Sequence, residues 1–326
     1  MRVFARWYEA PALKHSTTNR RRPGLAVGLV LVAVACFASM DTVAKSIGKG
    51  VPVLAMLWVR YAFQAAAMGA WFALCRRAQF RSAHPRFQAM RGALLLGSSA
   101  AAFFAVQTLP VAEFTAINML APVIVTLLAG WMLHEPVSKL RWALVAGGFA
   151  GALIVIRPGS NLFGWTMLLP VTGACCYASF QVLTGKLATL ESPFTTHFYT
   201  GVVGTALVTP VLLASGVDHI AAALHGASAW QLMGLLGIGA LGTFGHLLLI
   251  LAFGLAPTST LMPLLYAQIA VGALLGWLAF SQLPDAYAWL GMALLGACGA
   301  TSAWLNVREA SPQRRPSAVA LDTVGD

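Results

Sequence analysis

The chain has 326 residues, of which 59% are hydrophobic and 10% charged, with mean hydropathy +0.76 and a formal net charge of +11. That much apolar side chain exceeds what one soluble core of this length can hide, so the composition excludes a water-soluble domain and implies lipid as the solvent. The basic excess raises nucleic acid as a partner, but the cations sit at the ends of apolar segments rather than on one patch, which excludes it.

Residues 1–23 are polar and aperiodic and read as a cytoplasmic basic tail, with Arg20, Arg21 and Arg22 just ahead of the first apolar run. Apolar runs then follow at 25–45, 54–75, 90–110, 114–133, 140–157, 163–184, 195–215, 231–254, 259–280 and 287–306. Each is near the roughly 20 residues that a helix needs to cross ~30 Å of hydrocarbon. The runs are continuous rather than alternating, which excludes a barrel, so the fold class is all-α, a polytopic membrane protein of ten predicted transmembrane helices. Residues 309–326 read as a second, disordered cytoplasmic tail.

Arg76, Arg77, Arg81, Arg86 and Arg91 fill the second loop, and Lys139, Arg141, Lys186, Arg308, Arg314 and Arg315 fall in later inner loops and the tail. Outer loops hold little beyond Lys49 and Arg157. Cations favour the cytoplasmic side, so both termini are expected there, in a bacterial inner membrane. The Ala33-Val34-Ala35-Cys36 run has the look of a lipoprotein cleavage site, but the repeat below needs this segment as a retained helix. Cys36, Cys75, Cys175, Cys176 and Cys298 all fall within predicted helices and are expected as buried thiols, not disulfides.

The chain repeats itself. Cys36-Phe37-Ala38-Ser39 in the first span matches Cys176-Tyr177-Ala178-Ser179 in the sixth, each followed by a lysine, Lys45 and Lys186. Pro52 and Trp58 match Pro193 and Tyr199, and Gly130-Trp131 matches Gly276-Trp277. Five spans is an odd number, so the second half enters the membrane inverted relative to the first. The expected organisation is one repeat over 24–158 and another over 163–306.

With these residues the chain resembles the drug/metabolite transporter superfamily, in its bacterial ten-helix form with two EamA domains. Carrying the resemblance are the Phe37 to Lys45 stretch, Trp58-Val59-Arg60-Tyr61, Ala121-Pro122 leading through Gly130-Trp131 to His134-Glu135, and Arg157-Pro158. Ser281 departs from the pattern where a glutamate usually closes the ninth helix. The resemblance implies carriage of a small polar metabolite, an amino acid or a cofactor-like molecule such as S-adenosylmethionine or riboflavin, by alternating access. It chooses neither cargo nor direction.

A charge at the bilayer centre costs at least ~2.5–3.5 kcal/mol, so Asp41, Lys45 and Arg60 need a partner or a purpose. Arg60 either anchors an anionic group of the cargo, released from Asp41 on arrival, or forms a structural ion pair with Asp41. Lys45, one turn above Asp41, is expected to snorkel to the headgroups. Phe37, Tyr177, Trp58 and Tyr199 fall near mid-membrane, where they either box a planar heterocycle or merely pack. His246, Gln268 and Gln181, with Asn118 and Tyr266, are uncharged polar groups at the same depth, serving as ligand contacts or interhelical glue, and His246 also as a proton-coupling group. Glu135, beside Lys139 and Arg141, reads as a surface ion pair or gate element.

Pro122 and Pro263 are expected to break the fourth and ninth helices, and Gly147, Gly151, Gly296 and Gly299 to allow close helix contact, within the chain or in a homodimer. The seven histidines show no ligand spacing and no phosphate loop is present, so neither a metal, a cofactor nor an enzymatic reaction is expected. The partners expected are a small-molecule substrate and the lipid bilayer.

Overall fold

In hydrocarbon a backbone amide finds no water, so an apolar chain closes its hydrogen bonds within helices. The computed structural model describes residues 23–75, 81–125, 128, 139–157, 164–187, 190–216, 221–222, 224–255, 261 and 264–310. Among them lie ten α-helices and no strand. They are α1 (Pro23–Ile47), α2 (Val53–Cys75), α3 (Pro85–Thr108), α4 (Val111–Asn118), α5 (Lys139–Ile156), α6 (Leu168–Leu187), α7 (Pro193–Ala214), α8 (Ala229–Leu255), α9 (Ala267–Phe280) and α10 (Ala286–Ala310). Six segments are long and apolar enough to cross a membrane, within α1, α2, α3, α6 with its leading 3-10 turn, α7 and α8. Shorter apolar helices cover Val111–Val125, Trp142–Ile156 and Ala267–Phe280. The chain is an all-α polytopic membrane protein.

Pro85 and Pro193 open α3 and α7 in the first turn, where a missing N–H costs nothing. As a result α3 starts five residues before the apolar run at 90–110 and draws Arg86 into the helix, while Arg91, counted with the loop cations although it falls inside that run, is also helical.

The fourth span breaks where its proline requires. Pro122 has no N–H for the carbonyl four residues back, which belongs to Asn118, and α4 ends at Asn118 with a turn at Met119 and Leu120. Pro263 lies outside the described residues, and α9 begins just after a turn at Tyr266. At the far end of α9, Ser281 adopts φ 55°, its N–H bonding Trp277 O while the Gln282 N–H bonds Gly276 O. The left-handed Ser281 with its bond to Trp277 O is an αL cap that closes the helix.

Among the described residues the six most extensive packing pairs are α1 with α8, α3 with α6, α2 with α7, α5 with α10, α2 with α8 and α3 with α7. Exchanging each helix with the one five places along maps this set onto itself. Glycines permit the closest approaches: a Cβ on Gly151 would come 2.9 Å from Gly291 O, and one on Gly147 2.6 Å from Cys298 Sγ, so both face α10 of the same chain. Gly296 meets nothing within 4 Å. Cys36, Cys176 and Cys298 are half-buried free thiols, but Cys175 is exposed, against the expectation that all would be buried. The side chain of Cys75 lies outside the described residues.

Candidate functional site

Helices from both halves of the chain line a partly open cavity of ≈ 60 Å³. Of the expected residues, Phe37, Asp41, Arg60, Asn118, Tyr177, His246 and Gln268 line it. Ser98, Ser99 and Phe103 of α3 and Phe114 of α4 join them without having been singled out in the sequence.

Arg60 is 2% exposed, yet no carboxylate lies within ion-pairing distance among the described residues. Its Nη1 donates to Tyr61 Oη at 3.0 Å and to Ser99 Oγ, and its Nη2 lies 3.1 Å from His246 Nε2. The guanidinium also sits 4.9 Å above the Tyr61 ring. Tyr61 itself is seated by Gly204 of α7, where any Cβ would fall 2.3 Å from the ring. Among the described residues the Nε–H of Arg60 has no hydrogen-bond partner.

The expected alternative of an Asp41–Arg60 contact pair is therefore not realised, because hydroxyls and an imidazole occupy the guanidinium. Asp41 is 4% exposed and lines the same cavity, with no hydrogen bond to its carboxyl among the described residues. One cation and one carboxylate thus share the cavity without touching.

The other walls combine rings and carboxamides. Phe37 lies 4.7 Å from the His246 ring, and Tyr177 is stacked on Phe180 at 5.7 Å. Asn118 reaches the cavity because α4 breaks at that residue, and Gln268 because α9 has just begun. Such a lining offers flat apolar faces together with donors and acceptors at the edge.

Other expected residues do not converge there. Trp58 is 37% exposed, and its indole N–H donates to Thr209 Oγ1 of α7 at 3.0 Å. Tyr199 packs edge-on against Phe198, and Gln181 is half-buried away from the cavity. Tyr266 is buried against α10, where a Cβ on Gly299 would fall 2.0 Å from its Oη. Of the four rings expected to box a heterocycle, Phe37 and Tyr177 alone line the cavity. The Lys45 Nζ donates to the Leu109 carbonyl, an acceptor left open where α3 ends. Glu135 lies outside the described residues.

A second polar cluster was missed altogether. Arg91 of α3 is 1% exposed. Its Nε donates to Thr184 Oγ1 of α6 at 2.7 Å, its Nη1 to Thr196 O at 3.1 Å and to Thr200 Oγ1 of α7, and its guanidinium lies 4.4 Å above Phe180. Beside it Glu191 accepts from Ser82 Oγ, from the His84 N–H at 2.8 Å and from Gln88 Nε2 at 2.9 Å. Gln64 Nε2 donates to His197 O at 2.8 Å. The sequence signal that Arg91 belongs inside a helix was the apolar run at 90–110 itself, which contains it.

Comparison with known proteins gives a match to the EamA-like transporter family over residues 24–157. A riboflavin transporter of Brucella anthropi is 29% identical over 66% of this chain and 75% of that protein. A riboflavin transporter of Vibrio cholerae serotype O1 is 30% identical over 57% of this chain, and the aligned stretch spans 60% of that relative's length. An S-adenosylmethionine uptake transporter of Rickettsia prowazekii is 21% identical over 75% of this chain and 81% of that protein. One crystal structure covers 88% of this chain and 98% of its own with TM-score 0.60 at 18% identity, a likeness of fold alone.

Proposed function

We propose that this chain, whose residues 24–157 match the EamA-like transporter family, is a secondary transporter of a small cofactor-like metabolite across the bacterial inner membrane. The cargo is an uncharged planar heterocycle with hydrogen-bonding edges, of which riboflavin is the type. Names of the relatives support that class, and so does the cavity, which balances one guanidinium against one carboxylate. S-adenosylmethionine, the cargo named for a more distant relative, carries a sulfonium and an ammonium against one carboxylate and would leave a buried charge unmatched.

The carrying observation is the convergence of Arg60, Asp41, Asn118 and Gln268 with Phe37 and Tyr177 on one cavity. Phe37 and Tyr177 hold the ring faces, the two carboxamides and Asp41 read donors and acceptors at its edge, and the unpartnered Nε–H of Arg60 takes an acceptor. Residues 24–158 and 163–306 act as two inverted halves that rock about this cavity, with both termini in the cytoplasm. The self-mapping set of helix pairs and the arginines at 76–91 support that arrangement.

Thermal-shift measurements on purified protein with riboflavin, S-adenosylmethionine and amino acids test the cargo class. At about 100 times Kd a bound ligand adds about 2.7 kcal/mol to the folded state, so riboflavin is expected to raise the melting temperature by several degrees. A shift with S-adenosylmethionine or an amino acid and none with riboflavin overturns the class; a riboflavin shift undiminished by Arg60→Met overturns the site.

A further inference from the structure

The two seams between the halves of the bundle differ in chemistry. At the end carrying Ser82 and Glu191, every strong contact from Arg91 and Glu191 crosses from one half to the other: Arg91 to Thr184, Thr196 and Thr200, and Glu191 to Ser82, His84 and Gln88. Arg91 and the Glu191 side chain are only 1% and 3% exposed. At the opposite end, where α1 finishes against the start of α8, the same helix pairing is closed by Gly234 against Val43 and Ile47 and by Gly50 against Gln231. Among the described residues the ion pair between the halves at that end is Arg157–Asp285, with the aspartate 53% exposed and its attraction screened by water.

From this asymmetry we infer that Arg91 and Glu191 are positioning residues of the transport cycle, forming a buried polar latch that holds the cavity shut toward the cytoplasm, while the outer seam closes on apolar contacts and on the exposed Trp58–Thr209 bond and Arg157–Asp285 pair. The inference rests on the carrier function proposed above and on its topology. A buried guanidinium and a buried carboxylate resist separation because each, once parted from its partners, must find water or remain unsatisfied. Parting apolar and glycine contacts exposes no such group. Opening inward is therefore the hindered step, and the latch must be dissolved each time cargo passes the inner side. Removing one latch residue shifts the resting population toward the inward-open form without touching the cargo cavity, which neither residue lines.

The test needs no cargo. In a background with the five cysteines replaced by alanine, Ser98→Cys places one thiol on the cavity wall. A membrane-impermeant maleimide is applied to everted vesicles, which present the cytoplasmic face, and to right-side-out vesicles. Glu191→Gln and Arg91→Met are each expected to raise labelling in everted vesicles by about tenfold, the population change from losing one charge-assisted hydrogen bond. Gln231→Ala, at the outer seam, is expected to leave everted labelling unchanged. Unchanged labelling in Glu191→Gln, a rise in right-side-out vesicles, or an equal rise in Gln231→Ala overturns the latch. Should Arg91→Met fail to insert, Glu191→Gln, in a connecting turn, decides alone. Labelling that rises as expected while no tested metabolite binds preserves the latch and removes only the cargo assignment.

Discussion

Arg60 Nη2 and His246 Nε2 meet at 3.1 Å, joining α2 to α8. Guanidinium has no acceptor, so the imidazole Nε2 must supply the lone pair, which fixes His246 as neutral with its proton on Nδ1. A charged His246 and this bond exclude each other. The pair couples two halves of the chain at the wall of the cavity, and it does so with a cation that has no contacting counter-ion.

Arg60→Met separates function from stability. Removing the guanidinium relieves its own desolvation but leaves the Asp41 carboxyl without its balancing charge, so the melting temperature is expected to fall while uptake, normalised to the folded fraction, falls more than about tenfold. A purely structural Arg60 would lower the melting temperature with uptake loss limited to the unfolded fraction.

Tyr177 and Trp58 are expected to part company. Stacking on an aromatic contributes about 0.5–1.5 kcal/mol, so Tyr177→Ala should raise the KM for a planar cargo by about 2- to 10-fold. Tyr177→Phe, which keeps the ring, should stay near wild type. Trp58→Phe should leave transport unchanged, since Trp58 faces outward and bonds Thr209 instead of lining the cavity. Initial rates across a concentration series in whole cells distinguish the three.

Glu191 predicts an acid limb of stability. Burial alone pushes its carboxyl up, but hydrogen bonds from Ser82, Gln88 and the His84 amide outweigh burial and hold it below the ordinary carboxylate range. A carboxyl depressed in the folded state contributes stability above its unfolded value, about 4.3, and that contribution is lost as pH falls through the folded value. Melting temperatures of the wild type should therefore drop more steeply below about pH 4.3 than those of Glu191→Gln; parallel curves would contradict this.

The α5–α10 contact gives a paired packing prediction. A Cβ on Gly291 would fall 2.6 Å from the Gly151 carbonyl oxygen, a backbone atom that cannot step aside, so Gly291→Ala should destabilise by about 1–3 kcal/mol. Gly296→Ala meets open space and should be neutral or stabilising by about 0.5–1 kcal/mol. Denaturant titration in detergent measures both.

The spans were legible because lipid imposes a length and a polarity that composition cannot disguise. Their edges were less so: α3 begins at Pro85, five residues ahead of the expected run, and Arg91, though inside that run, was counted among the loop cations. Within the cavity, Arg60, Asp41, His246 and Asn118 were legible as polar residues that hydrocarbon penalises. Trp58, Tyr199 and Tyr266 misled because depth alone does not fix which side of a helix faces inward; Trp58 turns to α7 and Tyr266 to α10. Ser98, Ser99 and the threonines around Arg91 left no signal, since hydroxyls sit in membrane helices at little cost by bonding their own preceding turn, as Ser99 bonds Leu95 O and Thr200 bonds Thr196 O.

Counterflow in proteoliposomes tests the central claim most directly. With unlabelled riboflavin inside and a trace of labelled riboflavin outside, a carrier that alternates about this cavity gives transient accumulation of label above equilibrium, saturable in riboflavin and abolished by Arg60→Met. Flux that rises linearly with concentration and never overshoots would contradict it.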